Sequence, residues 1–246
     1  MLRQRTFTCL IEFAPFQFGV YNSHAVKAPL TRHSRSLTEE GKARLRIAFV
    51  ILEGMVTLDF LGVYDPISRI KTMGFRDDVE WDICALAEEI TDSTSQLTIK
   101  TNVVKPDLSS YDMFIVPGGR GVNQARENPE FMDWIKAGRS ARYKVGVCNG
   151  TLLLGEAGFL IGRKATTHRR AFEILEPMAG ETLHQRIVED GDVITAGGIT
   201  SSLDLGLYLV HKIAGPEVME EIRAQMEYHA FDNAQIQNFG PPLQVA

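Results

Sequence analysis

The stretch Lys144-Val145-Gly146-Val147-Cys148-Asn149-Gly150-Thr151-Leu152-Leu153-Leu154-Gly155 decides the fold. Lys144 to Val147 is a short apolar run that reads as a buried strand, and Thr151 to Ala157 reads as a helix, so the chain turns from one to the other through G-x-C-x-G. In the serine counterpart of this turn, flanking glycines let a nucleophile occupy a strained elbow with its reactive atom exposed. A thiol there sits at the positive end of the following helix, which favours the thiolate and lowers its pKa. Cys148 also reads as a small core hydrophobe, as buried cysteines often are. The paired glycines favour the nucleophile, because a packing residue needs no backbone freedom on both sides.

The same alternation extends outward. Leu45 to Leu52 is a doubly buried strand, followed by helical spacing over Thr57 to Met73 that stops at Gly74, and Val79 to Ala87 is a second strand. Leu97-Thr98-Ile99 and Val103-Val104 suggest a small antiparallel excursion. Met113 to Val116 is a third buried strand closed by Pro117-Gly118-Gly119, Pro129 opens a helix to Ala141, and Asp192 to Ala196 precedes a helix from Ser201 to Ile213. Strands alternating with helices imply a mostly parallel sheet covered on both faces, with ligands outside the carboxyl ends of its strands. No repeat or Pro/Ser-rich linker divides this region, so residues 43–230 read as one domain, 1–42 as an extension with a transit-peptide-like or disordered composition, and 231–246 as a loose or packed-down tail.

A 246-residue chain with 44% hydrophobic residues can bury a substantial core. Its net charge of −5 and its lack of a Lys/Arg run argue against nucleic acid as a partner. No apolar run approaches the roughly 18 to 20 residues of a membrane span. Three widely spaced cysteines are too few to staple the fold, which suits a reducing cytoplasm.

Asp59 is the best acid–base candidate, since it lies in the apolar stretch Val56-Thr57-Leu58-Asp59-Phe60-Leu61-Gly62. Burial and a nearby thiolate would raise its pKa and let it hold a proton; its other reading is a helix N-cap. Asp65, before Pro66, reads as a cap or turn residue. Pro117-Gly118-Gly119-Arg120-Gly121 offers backbone N–H groups to a developing anion, although a glycine-rich turn needs no function. His168, in Ala165-Thr166-Thr167-His168, forms a dyad with Cys148 or is a histidine satisfied locally, the second being favoured. Cys84 reads as core, and Cys9 lies in the extension. The remaining histidines show no metal-ligand spacing, so no metal is expected.

Taken together, Leu58-Asp59-Phe60-Leu61-Gly62, Ile115-Val116-Pro117-Gly118-Gly119, Val147-Cys148-Asn149-Gly150 with Leu154-Gly155, Ala165-Thr166-Thr167-His168, and Gly197-Gly198-Ile199-Thr200 with Asp204 resemble the DJ-1/PfpI superfamily in order and spacing, and within it the isonitrile hydratases. The resemblance covers about Leu45 to Phe231. It implies a flavodoxin-like three-layer αβα sandwich of the class I glutamine amidotransferase-like kind, a homodimer, a small-molecule substrate and no cofactor. It also implies catalysis by Cys148 and Asp59, with Gly118, Gly119, Asn149 and His168 lining the site. Asp59 stands where the protease-like and DJ-1-like branches carry Glu, and Asn149 where the protease-like branch carries His, which favours the hydratases; those carry Thr after the cysteine, so Asn149 is a departure. The implied reaction is hydration of an isocyanide to an N-substituted formamide through a thioimidate on Cys148. The alternatives are a glyoxalase- or deglycase-like activity, a redox sensor, and a ligand-sensing module akin to those of AraC-type regulators, against which stands the short stretch after Tyr228.

Overall fold

The computed structural model describes residues 44–93 and 97–230, together with the backbone of Ile236–Gln237. The expectations for residues 1–42, for Cys9 and for most of the tail lie outside the described residues. The strands and helices in chain order are β1 (Leu45–Val50), α1 (Thr57–Thr72), β2 (Val79–Ala85), β3 (Glu89–Thr91), β4 (Thr98–Lys100), β5 (Val103–Val104), β6 (Met113–Val116), α2 (Val122–Glu127), α3 (Pro129–Ala137), β7 (Tyr143–Val147), α4 (Thr151–Glu156), β8 (Lys164–Ala165), α5 (Phe172–Leu175), β9 (Glu181–Thr182), β10 (Ile187–Asp190), β11 (Val193–Ala196), α6 (Ser201–Ala214), α7 (Pro216–Gln225) and β12 (Ile236–Gln237).

Eight strands form the central sheet in the order β12-β10-β11-β7-β6-β1-β2-β5. The apolar run of β1 explains its central place: all but Arg46 is buried, with β2 and β6 paired in parallel on either side. Among the described strands of this sheet, only the β10–β11 pairing is antiparallel. Helices α1, α6 and α7 pack together, as do α2 to α5, giving the flavodoxin-like α/β sandwich. None of the described helices is long and apolar enough to cross a membrane.

Packing sets where α1 can lie. Phe60 and Tyr64 meet Phe49 of β1 with ring centroids 5.8 and 5.3 Å apart, and burying one such aromatic is worth about 1.5–3 kcal/mol. Behind them α1 crosses α6 closely: a Cβ at Gly206 would lie 2.6 Å from the Gly62 carbonyl oxygen and 2.8 Å from Pro66 Cγ. Pro66 has no N–H to offer that carbonyl, which frees the surface for a close crossing. The helix nevertheless runs through Pro66 to Thr72, and Asp65 lies inside it, paired with Arg69 at 2.9 Å. Asp65 is therefore neither a cap nor a turn residue.

Two further expectations need correction. The antiparallel excursion pairs β4 with β3, whereas Val103–Val104 joins the main sheet in parallel beside β2. The helix opened by Pro129 ends at Ala137, with Asn128 Oδ1 accepting the Glu130 and Phe131 amides at its start. Gly138 and the two residues after it tighten into a 3₁₀ turn before β7.

Candidate active site

The site is built where β1, β6 and β7 end. At the end of β7 the chain enters a 3₁₀ turn whose first residue, Cys148, has φ +56°. A non-glycine residue in that region costs about 1–2 kcal/mol and persists only where its surroundings hold it. Three backbone contacts do so: Cys148 N–H donates to Gly197 O at 3.0 Å, Thr167 Oγ1 donates to Cys148 O at 2.8 Å, and Gly150 sits so close beneath the end of β6 that a Cβ would be 2.6 Å from Val116 O.

Asp59 is the third residue of α1 and is fully buried. It does not cap the helix; Oδ2 instead accepts the Gly118 N–H at 3.1 Å, which binds the start of α1 to the loop after β6. Oδ1 is buried with no hydrogen-bond partner of its own. Burial raises its pKa to about 6 against the opposing pull of Gly118 N–H and the Cys148 thiol. The expected elevation is therefore present, and its main cause is lost hydration.

The thiol behaves differently from the elbow expectation. Cys148 is 6% exposed, and burial followed by the charge of Asp59 pushes its thiol up to about 12. The amides of Asn149 and Ile199 favour the thiolate without outweighing burial and the carboxylate's charge. The resting cysteine is accordingly a thiol: the turn preceding the six-residue α4 does not compensate for an apolar surround and a neighbouring carboxylate.

The Asn149 side chain is committed to Gly119 rather than to the sulfur. Its Oδ1 accepts the Gly119 N–H at 2.7 Å and its Nδ2 donates to Gly119 O at 3.0 Å, closing a two-bond ring across the loops after β6 and β7. Gly119 has φ +147°, a conformation that favours glycine. Gly118 and Gly119 thus order the site, but their N–H groups are already engaged by Asp59 and Asn149. They are not the free anion donors that the sequence suggests.

His168 lies beside Gly198, its Nδ1 accepting the Arg170 amide at 3.3 Å, and it makes no hydrogen bond to Cys148. Burial, then Arg170 and Arg169, lower its pKa and favour the neutral ring. No Cys–His dyad forms, and the local reading of His168 holds. Cys84 is a core residue, 0% exposed. Sequence reasoning missed Thr167, Gly197 and Ile199; the last two sit in Gly197-Gly198-Ile199-Thr200, a motif legible as a whole but not by role. Among the described residues, no three His, Cys, Asp or Glu side chains gather as metal ligands do.

A parallel sheet ending in a strained cysteine elbow, with a buried carboxyl from the first βα unit beside it, defines a cysteine-elbow α/β protein. Residues 45–212 match the DJ-1/PfpI family, and the chain belongs to that family. It is 31% identical over 185 residues to the isonitrile hydratase of Pseudomonas putida, covering 75% of this chain and 78% of that protein. It is 26% identical over 180 residues to the HTH-type transcriptional regulator CdhR of Pseudomonas aeruginosa, covering 72% of this chain but about half, 53%, of the regulator. The crystal structure of a ThiJ/PfpI family protein from Pseudomonas syringae superposes with a TM-score of 0.70 at 25% identity, covering 82% of this chain and 85% of that one.

Proposed function

We propose that this protein is a lyase that hydrates an isocyanide to an N-substituted formamide, with Cys148 as nucleophile and Asp59 as proton carrier. The observation that carries the reading is the Asp59 carboxyl: one oxygen is anchored by Gly118, the other is buried with no hydrogen-bond partner, and the carboxyl interacts with the Cys148 thiol. A buried polar atom left open in this way calls for an occupant, and a carboxyl with a pKa of about 6 exchanges protons readily near neutrality.

The terminal carbon of an isocyanide accepts a nucleophile and a proton at the same atom. Asp59 takes the thiol proton as sulfur bonds to that carbon, then delivers it there, giving the thioimidate R–N=CH–S–Cys148. Water adds to the same carbon, the C–S bond breaks, and the sulfur recovers a proton as R–NH–CHO leaves. The balance is isocyanide plus water to formamide, with no net change in the protein. The Asn149 and Ile199 amides hold negative charge on sulfur as the proton departs. In this reading the protein works as a homodimer, a second copy covering the exposed Leu58, Leu61 and Ile199 next to the site.

Incubating the purified protein with an alkyl isocyanide should release the formamide, and Cys148→Ala should release none. Equal inactivity of both proteins rejects the hydratase.

A further inference from the structure

A shallow cleft of about 270 Å³ lies against the loops that hold the elbow and has no role in the chemistry above; Arg169, Arg186, His184, Thr166, Thr167 and Gly198 are among its walls. It shares structure with the elbow: Thr167 holds the Cys148 carbonyl, Gly197 holds the Cys148 N–H, and one residue beyond Gly198 the Ile199 amide reaches the sulfur. A ligand in the cavity would thus rest against the segments that hold the Cys148 backbone and deliver the Ile199 amide.

The walls carry cations and no carboxylate. Arg169 is exposed and makes no hydrogen bond or ion pair among the described residues. Arg186 is held rigidly by Asp204 through Nε and by Thr200 Oγ1 through Nη2 at 3.3 Å, while Tyr228 takes the other Asp204 oxygen at 2.7 Å. That clamp neutralises Asp204 and leaves Nη1 of Arg186 without a partner. One free guanidinium and one pre-oriented nitrogen at the edge of a concave surface suit a planar anion with two oxygens.

We propose that this cleft seats a carboxylate on the substrate, so that the preferred isocyanide is an isocyano acid rather than a neutral alkyl isocyanide. The inference rests on the hydratase reading for the reacting group, but the anion site itself does not. Two measurements separate them. The first compares kcat/KM for isocyanoacetate and its methyl ester; the second follows binding of N-formylglycine and N-formylglycine methyl ester through the amide resonances of Thr166 and Gly198, which needs no turnover.

Wild-type protein should favour the acid over the ester by about fivefold to tenfold in both measurements, as one or two partly solvated charge contacts allow. Arg169→Gln should erase the preference, Arg169→Lys should restore part of it, and raised salt should weaken it. Acid and ester that bind equally, or a preference unchanged in Arg169→Gln, overturn the anion site, even if both isocyanides are hydrated. Selective binding of the acid with neither isocyanide consumed leaves the anion site standing and removes the hydratase.

Discussion

The Cys148 amide donates to the Gly197 carbonyl at 3.0 Å, and that single bond couples the elbow to the loop that delivers the Ile199 amide to the sulfur. The amide and the sulfur of the strained residue are therefore both held by one segment, Gly197 to Ile199. The strain is a property of the position and not of the thiol, so substitutions there should be ordered by backbone preference.

Cys148→Gly should accordingly be at least as stable as Cys148→Ala, although glycine is ordinarily the poorer residue by about 0.5–1 kcal/mol. At φ +56° glycine relieves about 1–2 kcal/mol of left-handed strain that alanine retains. Urea unfolding of the two variants measures the difference; an alanine variant more stable by 1 kcal/mol or so would show that the elbow is not strained. Both should lack activity.

The ring that Asn149 closes on Gly119 makes a second, separable claim. Asn149→Ala leaves a buried Gly119 N–H without an acceptor and frees its carbonyl, which should cost about 1–3 kcal/mol. Because the same loop presents Gly118 to Asp59, kcat/KM should fall at least about tenfold while the sulfur itself is untouched. Asn149→Asp keeps the acceptor and should lose less stability than alanine. Thermal unfolding together with kinetics on the same samples tests both parts.

Much of this was legible from residues and spacing, and the failures have physical causes. The apolar runs at Leu45 to Val50 and Met113 to Val116 are central strands because their short length and β-branched content suit a strand buried on both faces. Asp190-Gly191-Asp192 is a hairpin signal hidden inside the βα rhythm: Gly191, at φ +64°, turns β10 into β11. The placement of Asp59 was inferable from its apolar setting, whereas the raised thiol was not. That shift depends on how little solvent reaches Cys148 and on a charge contributed 89 positions earlier in the chain, neither of which a local motif reports. Likewise Asn149 follows the cysteine in sequence but bonds to Gly119, a pairing set by the parallel register of β6 and β7.

The close crossing of α1 and α6 predicts a site remote from the sulfur whose change is felt there. Gly206→Ala places a methyl group against the Gly62 carbonyl and Pro66, both parts of rigid backbone or ring. Overpacking of this kind should cost about 1–3 kcal/mol. Relief requires α1 to move away from α6, carrying Asp59 with it, so activity should drop more than in Gly215→Ala, a control destabilised by backbone strain at φ +94° but whose added Cβ meets only a Glu217 side-chain oxygen at 3.5 Å. Equal activity in the two variants would show that α1 does not position Asp59.

The elevated Asp59 carboxyl fixes a pH dependence whose sign can be worked out. Its pKa rises from 3.8 to about 6 on folding, so the folded state binds the proton more tightly. Its contribution to stability is complete below about pH 3.8 and is lost as pH rises through about 6, amounting to about 3 kcal/mol at most. Asp59→Asn abolishes that dependence: relative to wild type the variant should gain stability as pH rises from about 3.8 through about 6, read from the difference in urea unfolding free energies. Catalysis runs the other way. Asp59 must be ionised to accept the thiol proton, so wild-type kcat/KM should climb through an apparent pKa near 6, one that belongs to the pair of groups rather than to either alone. An acid limb that survives in Asp59→Asn would assign the proton transfer to a different group.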